Sequence, residues 1–236
     1  MHAYKDSSKR LLQYITENKM KRGDRFPAET ELAEILGISR LTLREAMNAL
    51  KQEGVVSAIQ GKGTFVTFDY HYMANFLNLN KSVTEMIEDN GYVCSTSLFQ
   101  KKLVKAGRDV AEGLDISEDS DVMVCERIRL ADDIPVVYSL DYLAPQLASH
   151  FLQVTDEEVS LYGFVEETCK IEIGQCMTEI VPVAADEELA GMLEVPMYTP
   201  LLKFKVRVQD MYCNPIIYAE ECLRADKFKF IANRRR

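Results

Sequence analysis

Residues 26–66, FPAETELAEILGISRLTLREAMNALKQEGVVSAIQGKGTFV, constrain the fold more tightly than any other stretch of the chain. Leu32, Ile35 and Leu36 fall on one side of a short helix, which Gly37 breaks. Ile38 follows as a buried staple, and Ser39 is a good N-cap for the next helix. There Leu43, Ala46, Met47 and Leu50 recur at i, i+3, i+4 and i+7, a single buried stripe. Arg40, Thr42, Arg44 and Asn48 occupy the opposite face. Gly54 ends the helix. Residues 55–59 and 64–67 read as two strands around the Gln-Gly-Lys-Gly turn at 60–63, a sequence that tolerates positive φ.

Two helices joined through a glycine-containing turn, the second exposing arginine and small polar side chains, have helix-turn-helix geometry, and the trailing hairpin adds a wing. Ser39, Arg40, Thr42 and Arg44 sit where the second helix begins, the part that enters a major groove. Arginine pairs bidentately with guanine, and Ser and Thr suit phosphates. Lys62 between Gly61 and Gly63 lets the wing backbone approach DNA closely. These seven residues are the predicted DNA contacts.

The FPAETELAEILGISRLTLREAMNAL run and the GKGTFV ending resemble the winged helix of the GntR family of bacterial transcription regulators over residues 8–67. Thr30 departs from that pattern. Many members carry arginine there as a DNA contact, which does not transfer.

Net charge is −9, which looks wrong for a DNA binder. Its distribution removes the conflict. Residues 1–68 hold 11 basic and 8 acidic side chains, hence +3, leaving 17 basic and 29 acidic side chains, hence −12, for the remainder. So small a positive footprint implies weak non-specific binding and a need for two DNA-binding units. The sequence has no apolar run long enough to span a membrane, and its first ten residues lack a signal-peptide core, so a cytoplasmic protein is expected. Cys94, Cys125, Cys169, Cys176, Cys213 and Cys222 form no CxxC pair and no metal-ligand spacing with histidine, so reduced thiols and no metal or cofactor are expected.

Residues 4–18 read as a first helix with Leu11, Leu12 and Ile15 inward. Residues 69–81 read as a polar-aromatic linker between a DNA-binding domain (1–68) and a second domain (82–236). In the second domain, Ser82 opens a capping-box helix. Strands are expected at 94–105, 122–130, 135–142, 173–183, 202–208 and 216–223, with short helices at 109–114, 161–169 and 186–193. The strand at 122–130 alternates strictly: Val122, Val124, Ile128 and Leu130 share one face, and Met123, Cys125, Arg127 and Arg129 the other. Strands and helices that do not follow simple βαβ alternation argue for an α+β domain with an antiparallel sheet.

Arg127 and Arg129 on one strand face must pair with acids or hold an anion. Ser82 and Ser160 each begin a helix, and helix starts offer free N–H groups and positive dipole ends.

The segments RIRLADDIPVVYSLDYL, SLYGFVEE, ADEELAGMLEVP and PLLKF…NPIIYAEECLRADKFKF resemble, in that order, the UTRA effector domain of HutC-type GntR regulators over about residues 82–231. The resemblance implies a chorismate lyase-like fold, a homodimer and, as the family's usual mode, repression of a palindromic operator in double-stranded DNA. It also implies relief by a small anionic effector, such as a phosphorylated sugar or organic acid. The residues matching the family's effector positions are Ser82, Arg127, Arg129, Ser160 and Tyr162. Ser139 and Ile217 stand where amino-sugar binders carry acids, which argues against an amino-sugar phosphate. Ser139 and Tyr218 complete the predicted pocket. Arg224 and Asp226 are assigned instead to fixing the end of the sheet. The fold likeness makes an enzyme the rival class, but His2, His71 and His150 belong to no catalytic motif.

Overall fold

A computed structural model describes residues 7, 8, 10–12, 14, 15, 18, 20–53, 55–67, 73–77, 80–157 and 159–232. The chain packs as two units: residues 1–79, 85–92 and 228–236 form one, and residues 80–84 and 93–227 the other.

In the first unit, residues 7, 8, 10–12, 14 and 15 are helical, with Leu11, Leu12 and Ile15 buried. The remainder of the helix expected over 4–18 and the stop at Gly54 lie outside the described residues. Helix α1 (Glu29–Leu36) ends at Gly37, whose φ of 64° lets its own N–H and that of Ile38 close on the carbonyls of Glu34 and Ala33. Leu32 is buried, but Ile35 is 53% exposed and Ala33 takes the inward place. Helix α2 (Arg40–Glu53) buries Leu43, Ala46 and Leu50 completely, with Met47 packed at the core's edge. Strands β1 (Val56–Ile59) and β2 (Gly63–Val66) pair antiparallel as the wing. Residues 24–26 join the wing through Val66 N–H to Asp24 O and Phe26 N–H to Thr64 O, both 2.9 Å.

Residues 73–76, expected inside a linker, form β3 (Met73–Phe76), which pairs in parallel with β10 (Phe228–Ile231). A partner so distant in sequence leaves no local signal at residue 73.

The second unit is built on one antiparallel sheet of six strands. They are β4 (Cys94–Lys105), β5 (Asp121–Ala131), β6 (Ile134–Leu143), β7 (Ile173–Ala184), β8 (Pro200–Asp210) and β9 (Pro215–Arg224), in the order β4-β5-β6-β9-β8-β7. The β5–β6 hairpin turns on Asp132 and Asp133, both at positive φ (47° and 66°), conformations that aspartate tolerates. Arg224 fixes the end of the sheet, binding both oxygens of Asp226 (2.9 and 3.1 Å) and the carbonyls of Pro135 and Leu193.

Helices cover both sheet faces. On one face, α4 (Gly107–Leu114) packs Val110 and Leu114 with Val122 and Tyr218, and α7 (Glu187–Met192) packs Ala190 with Leu201 and Cys222. On the other are α5 (Pro145–Leu152), not expected from sequence, and α6 (Leu161–Gly163), which continues as a π-helical turn, Phe164–Thr168. Phe151 of α5 meets Phe164 edge to face at 5.0 Å and Phe99 at 6.5 Å. Because both faces are covered, the alternation of β5 does not separate core from solvent. The arginine face is the deeper one: Arg127 is 4% and Arg129 1% exposed, while Ile128 and Leu130 are only half-buried.

Candidate functional site

The side chains singled out in the sequence fall on two surfaces. The first is the start of α2. Ser39 Oγ accepts the N–H of Thr42 (3.1 Å) and lies 2.7 Å from the Thr42 hydroxyl, so the N-cap also fixes the Thr42 side chain. Arg40 and Arg44 are exposed. Arg44 Nε donates to Glu29 Oε2 at 2.7 Å. Leu41, between Arg40 and Thr42, is 69% exposed, an apolar side chain on the same surface that falls outside the buried stripe. At the wing, Gly61 (φ 75°) and Gly63 (φ 115°) make the turn around an exposed Lys62. A Cβ on Gly63 would come 2.6 Å from Arg25 Nε, so the glycine also makes room for an arginine that entered the sequence reading only through net charge. Thr30 is exposed on α1.

The second surface is a cavity of about 20 Å³ on the α5–α6 face of the sheet. That is room for about one water molecule, so a metabolite needs the walls to move. Its lining includes Ser82, Thr84, Arg127, Asp141, Tyr162 and Glu221. Adjacent strands put three polar residues in one row: Arg127 lies opposite Ser139, and Ser139 opposite Glu221. Arg127 donates to Asp141 Oδ2 at 3.0 Å and to the Val159 carbonyl at 3.1 Å, while its buried Nε has no hydrogen-bond partner. Ser139 donates to the same Asp141 oxygen at 2.9 Å. Burial opposes the charge of Arg127, but Asp141 beside it outweighs that and its pKa is raised. Glu221 is pushed up to about 8, mainly by burial, with Asp141 adding and Arg127 opposing. Tyr162, its phenol held well above the ordinary range by burial and then by Cys176, donates to Asn80 Oδ1 at 3.1 Å.

The predicted pocket thus divides. Ser82, Arg127 and Tyr162 line the cavity; Ser139 lies in the same polar row and holds Asp141. Arg129 faces the same side but is spent on structure, donating to Thr96 (2.8 Å), Thr84 (2.9 Å) and Cys94 Sγ (2.9 Å). Ser160 accepts the Gly163 N–H at 3.4 Å, a plain N-cap. Ser82 precedes α3 (Val83–Glu88), of six residues, and Ser160 precedes α6, whose three residues run on into the π-helical turn through Thr168. Tyr218 is a correction: Ile217 and Ala219 line the cavity, so strand alternation turns Tyr218 to the opposite face, against Gly113 of α4. Asp141 and Glu221 were missed. They lie two and four residues beyond Ser139 and Ile217 on the same strands and so share their face, which is the signal the sequence offers.

Among the described residues no group of three or more metal-ligating side chains exists, and no helix is long and apolar enough to cross a membrane. Residues 3–66 match the gntR family of bacterial regulatory proteins, and residues 89–229 match the UTRA domain. The HTH-type transcriptional repressor NagR of Bacillus subtilis is 29% identical over 206 residues, covering 87% of this chain and 84% of that protein. The mannosyl-D-glycerate transport/metabolism system repressor MngR of Escherichia coli is 25% identical over 234 residues, covering 96% and 93%. The crystal structure of PhnF from Mycobacterium smegmatis shares the fold with a TM-score of 0.64 at 24% identity, covering 96% of this chain and 98% of that one. YydK from Bacillus subtilis does so with a TM-score of 0.66 at 19% identity, each chain fully covered. With a helix-turn-helix whose second helix exposes two arginines, followed by a UTRA domain, the chain belongs to the gntR family of bacterial transcription regulators.

Proposed function

We propose that this regulator is a homodimeric repressor, released from a palindromic operator when a small metabolite with an anionic group binds at Arg127. The observation that carries the reading is a buried arginine against a cavity; among the described residues its Nε is unpartnered and its terminal nitrogens are held by Asp141 and the Val159 carbonyl. A ligand oxyanion can take those contacts over at little desolvation cost, because the guanidinium is already out of water. Residues 80–84, which bring the chain into the second unit, supply Ser82 and Thr84 to the cavity wall and Asn80 to Tyr162. Occupying the cavity therefore acts on the segment that follows the DNA-binding region.

The test is operator binding by the full chain, followed by fluorescence anisotropy, against a panel of sugar phosphates and organic acids. An effector should weaken operator binding by about 5- to 150-fold, the usual range of allosteric coupling. Arg127→Lys keeps the charge but loses the fork, so it should bind operator normally and lose the response. A panel compound that binds the protein and releases DNA equally from the parent and Arg127→Lys overturns the site assignment.

A further inference from the structure

Arg127 is the only cation among the residues lining the cavity, and Asp141 already neutralises it. Glu221 is what remains. It is 9% exposed and lines the same cavity, and among the described residues the charges that act on its carboxyl are those of Asp141 and Arg127. A buried carboxyl with no counter-ion is costly to ionise and is held neutral instead, and natural cores rarely retain such a group without a use.

We propose that Glu221 reads the effector directly, and that the effector carries a protonated amine for Glu221 as well as the anionic group for Arg127. This rests on the effector role of the cavity proposed above. A purely anionic ligand would compete with Asp141 for the one arginine and leave Glu221 unpaired. A ligand bearing both charges gives each buried group an opposite partner, and Asp141, released from Arg127, is placed to share the amine. The charged and titratable groups around Glu221 are Arg127 from β5, Asp141 from β6 and Tyr162 from α6, with Cys176 of β7 behind Tyr162 at 3.8 Å.

The arrangement has a proton signature. Burial leaves Glu221 protonated at pH 7. Taking up an ammonium ion converts the neutral carboxyl to carboxylate, and its proton leaves to solvent, close to one per site. A hydroxyl in the same place would leave the proton where it is.

The experiment is isothermal titration calorimetry on the full chain at pH 7, in buffers of different ionisation enthalpy. Three matched sets of short compounds are used: ω-amino alkyl phosphates and carboxylates, the same compounds without the amine, and the simple amines. The doubly functional set should bind tightest with proton release. Glu221→Gln should weaken that set about tenfold or more and abolish the release, so that the advantage of amino compounds over their amine-free counterparts disappears. If amine-free anions bind as tightly as their amino counterparts in both parent and Glu221→Gln, the amine assignment fails while the anion site stands. If simple amines bind and anions do not, the anion site fails instead. If no compound of any set binds, both assignments are overturned.

Discussion

Arg44, a proposed DNA contact at the start of α2, has one contact already made within the protein. Glu29 takes its Nε–H at 2.7 Å, which leaves the two terminal nitrogens as a fork for a guanine edge. The pair is exposed and therefore worth little to the fold; its value is in aiming the guanidinium. Arg44→Ala should cost about 1–3 kcal/mol at the operator. Glu29→Gln should cost less there and should not weaken binding to a scrambled duplex, since removing a carboxylate beside Arg44 adds one positive charge to the footprint. Anisotropy on the two duplexes separates these outcomes, and an operator affinity indifferent to Glu29→Gln removes it as a positioning residue. At the wing, Gly63 combines a left-handed φ with contact to Arg25. Gly63→Ala should destabilise the DNA-binding unit by about 1 kcal/mol or more, since a Cβ both strains the backbone and displaces the arginine. A melting temperature equal to the parent's would contradict this.

Strand β9 shows how one element carries two unrelated duties on its two faces. Tyr218 and Cys222 pack under α4 and α7, while Ile217, Ala219 and Glu221 look into the cavity. Glu221 binds a proton more tightly folded, with a pKa of about 8, than unfolded, near 4.5. Between those values the native state holds a proton that the unfolded chain has lost, so this group's contribution to stability falls as pH rises and is gone above about pH 8. Glu221→Gln should therefore raise the melting temperature, with a gain that grows from pH 5 to pH 8 and then levels off; a gain independent of pH would show that the carboxyl is already ionised at pH 5. The same strand explains what could be read without coordinates. The helix-turn-helix was legible because capping, glycine stops and a 3.6-residue stripe are local signals, all contained within residues 26–66. The sheet strands were legible too, and their bounds moved by only a few residues. What escaped was non-local. Pairing of β3 with β10, covering of the sheet on both faces, and the placing of Tyr218 away from the cavity depend on which elements pack where. The acids of the cavity escaped because Asp141 and Glu221 acquire meaning only when β5, β6 and β9 lie side by side around Arg127.

Over the whole molecule, charge is divided against itself: +3 in residues 1–68 and −12 in the rest. A footprint of that size, with one α2 helix and one wing, covers few base pairs for genomic specificity, which is the ground for proposing that two copies act together on a palindrome. The full chain should sediment as a dimer at micromolar concentration and bind one duplex per dimer; a monomer both free and on DNA would refute this. The linkage to effector is then reciprocal. If ligand at Arg127 weakens operator binding by some factor, operator must weaken ligand binding by the same factor, because both bias one equilibrium between two arrangements of the dimer. Arg129 gives this a structural handle distinct from ligand contact. It holds Thr84, in the segment entering the second unit, together with Thr96 and Cys94 of β4. Thr84→Val removes one of those contacts from a residue that is itself not deeply buried, so the fold should persist. Thr84 also lines the cavity, so effector affinity is compared with and without operator in the same variant: whatever its value without DNA, the factor by which operator changes it should shrink toward one. If the factor is unchanged, the coupling does not run through the Arg129–Thr84 contact and must be carried by another part of the cavity wall.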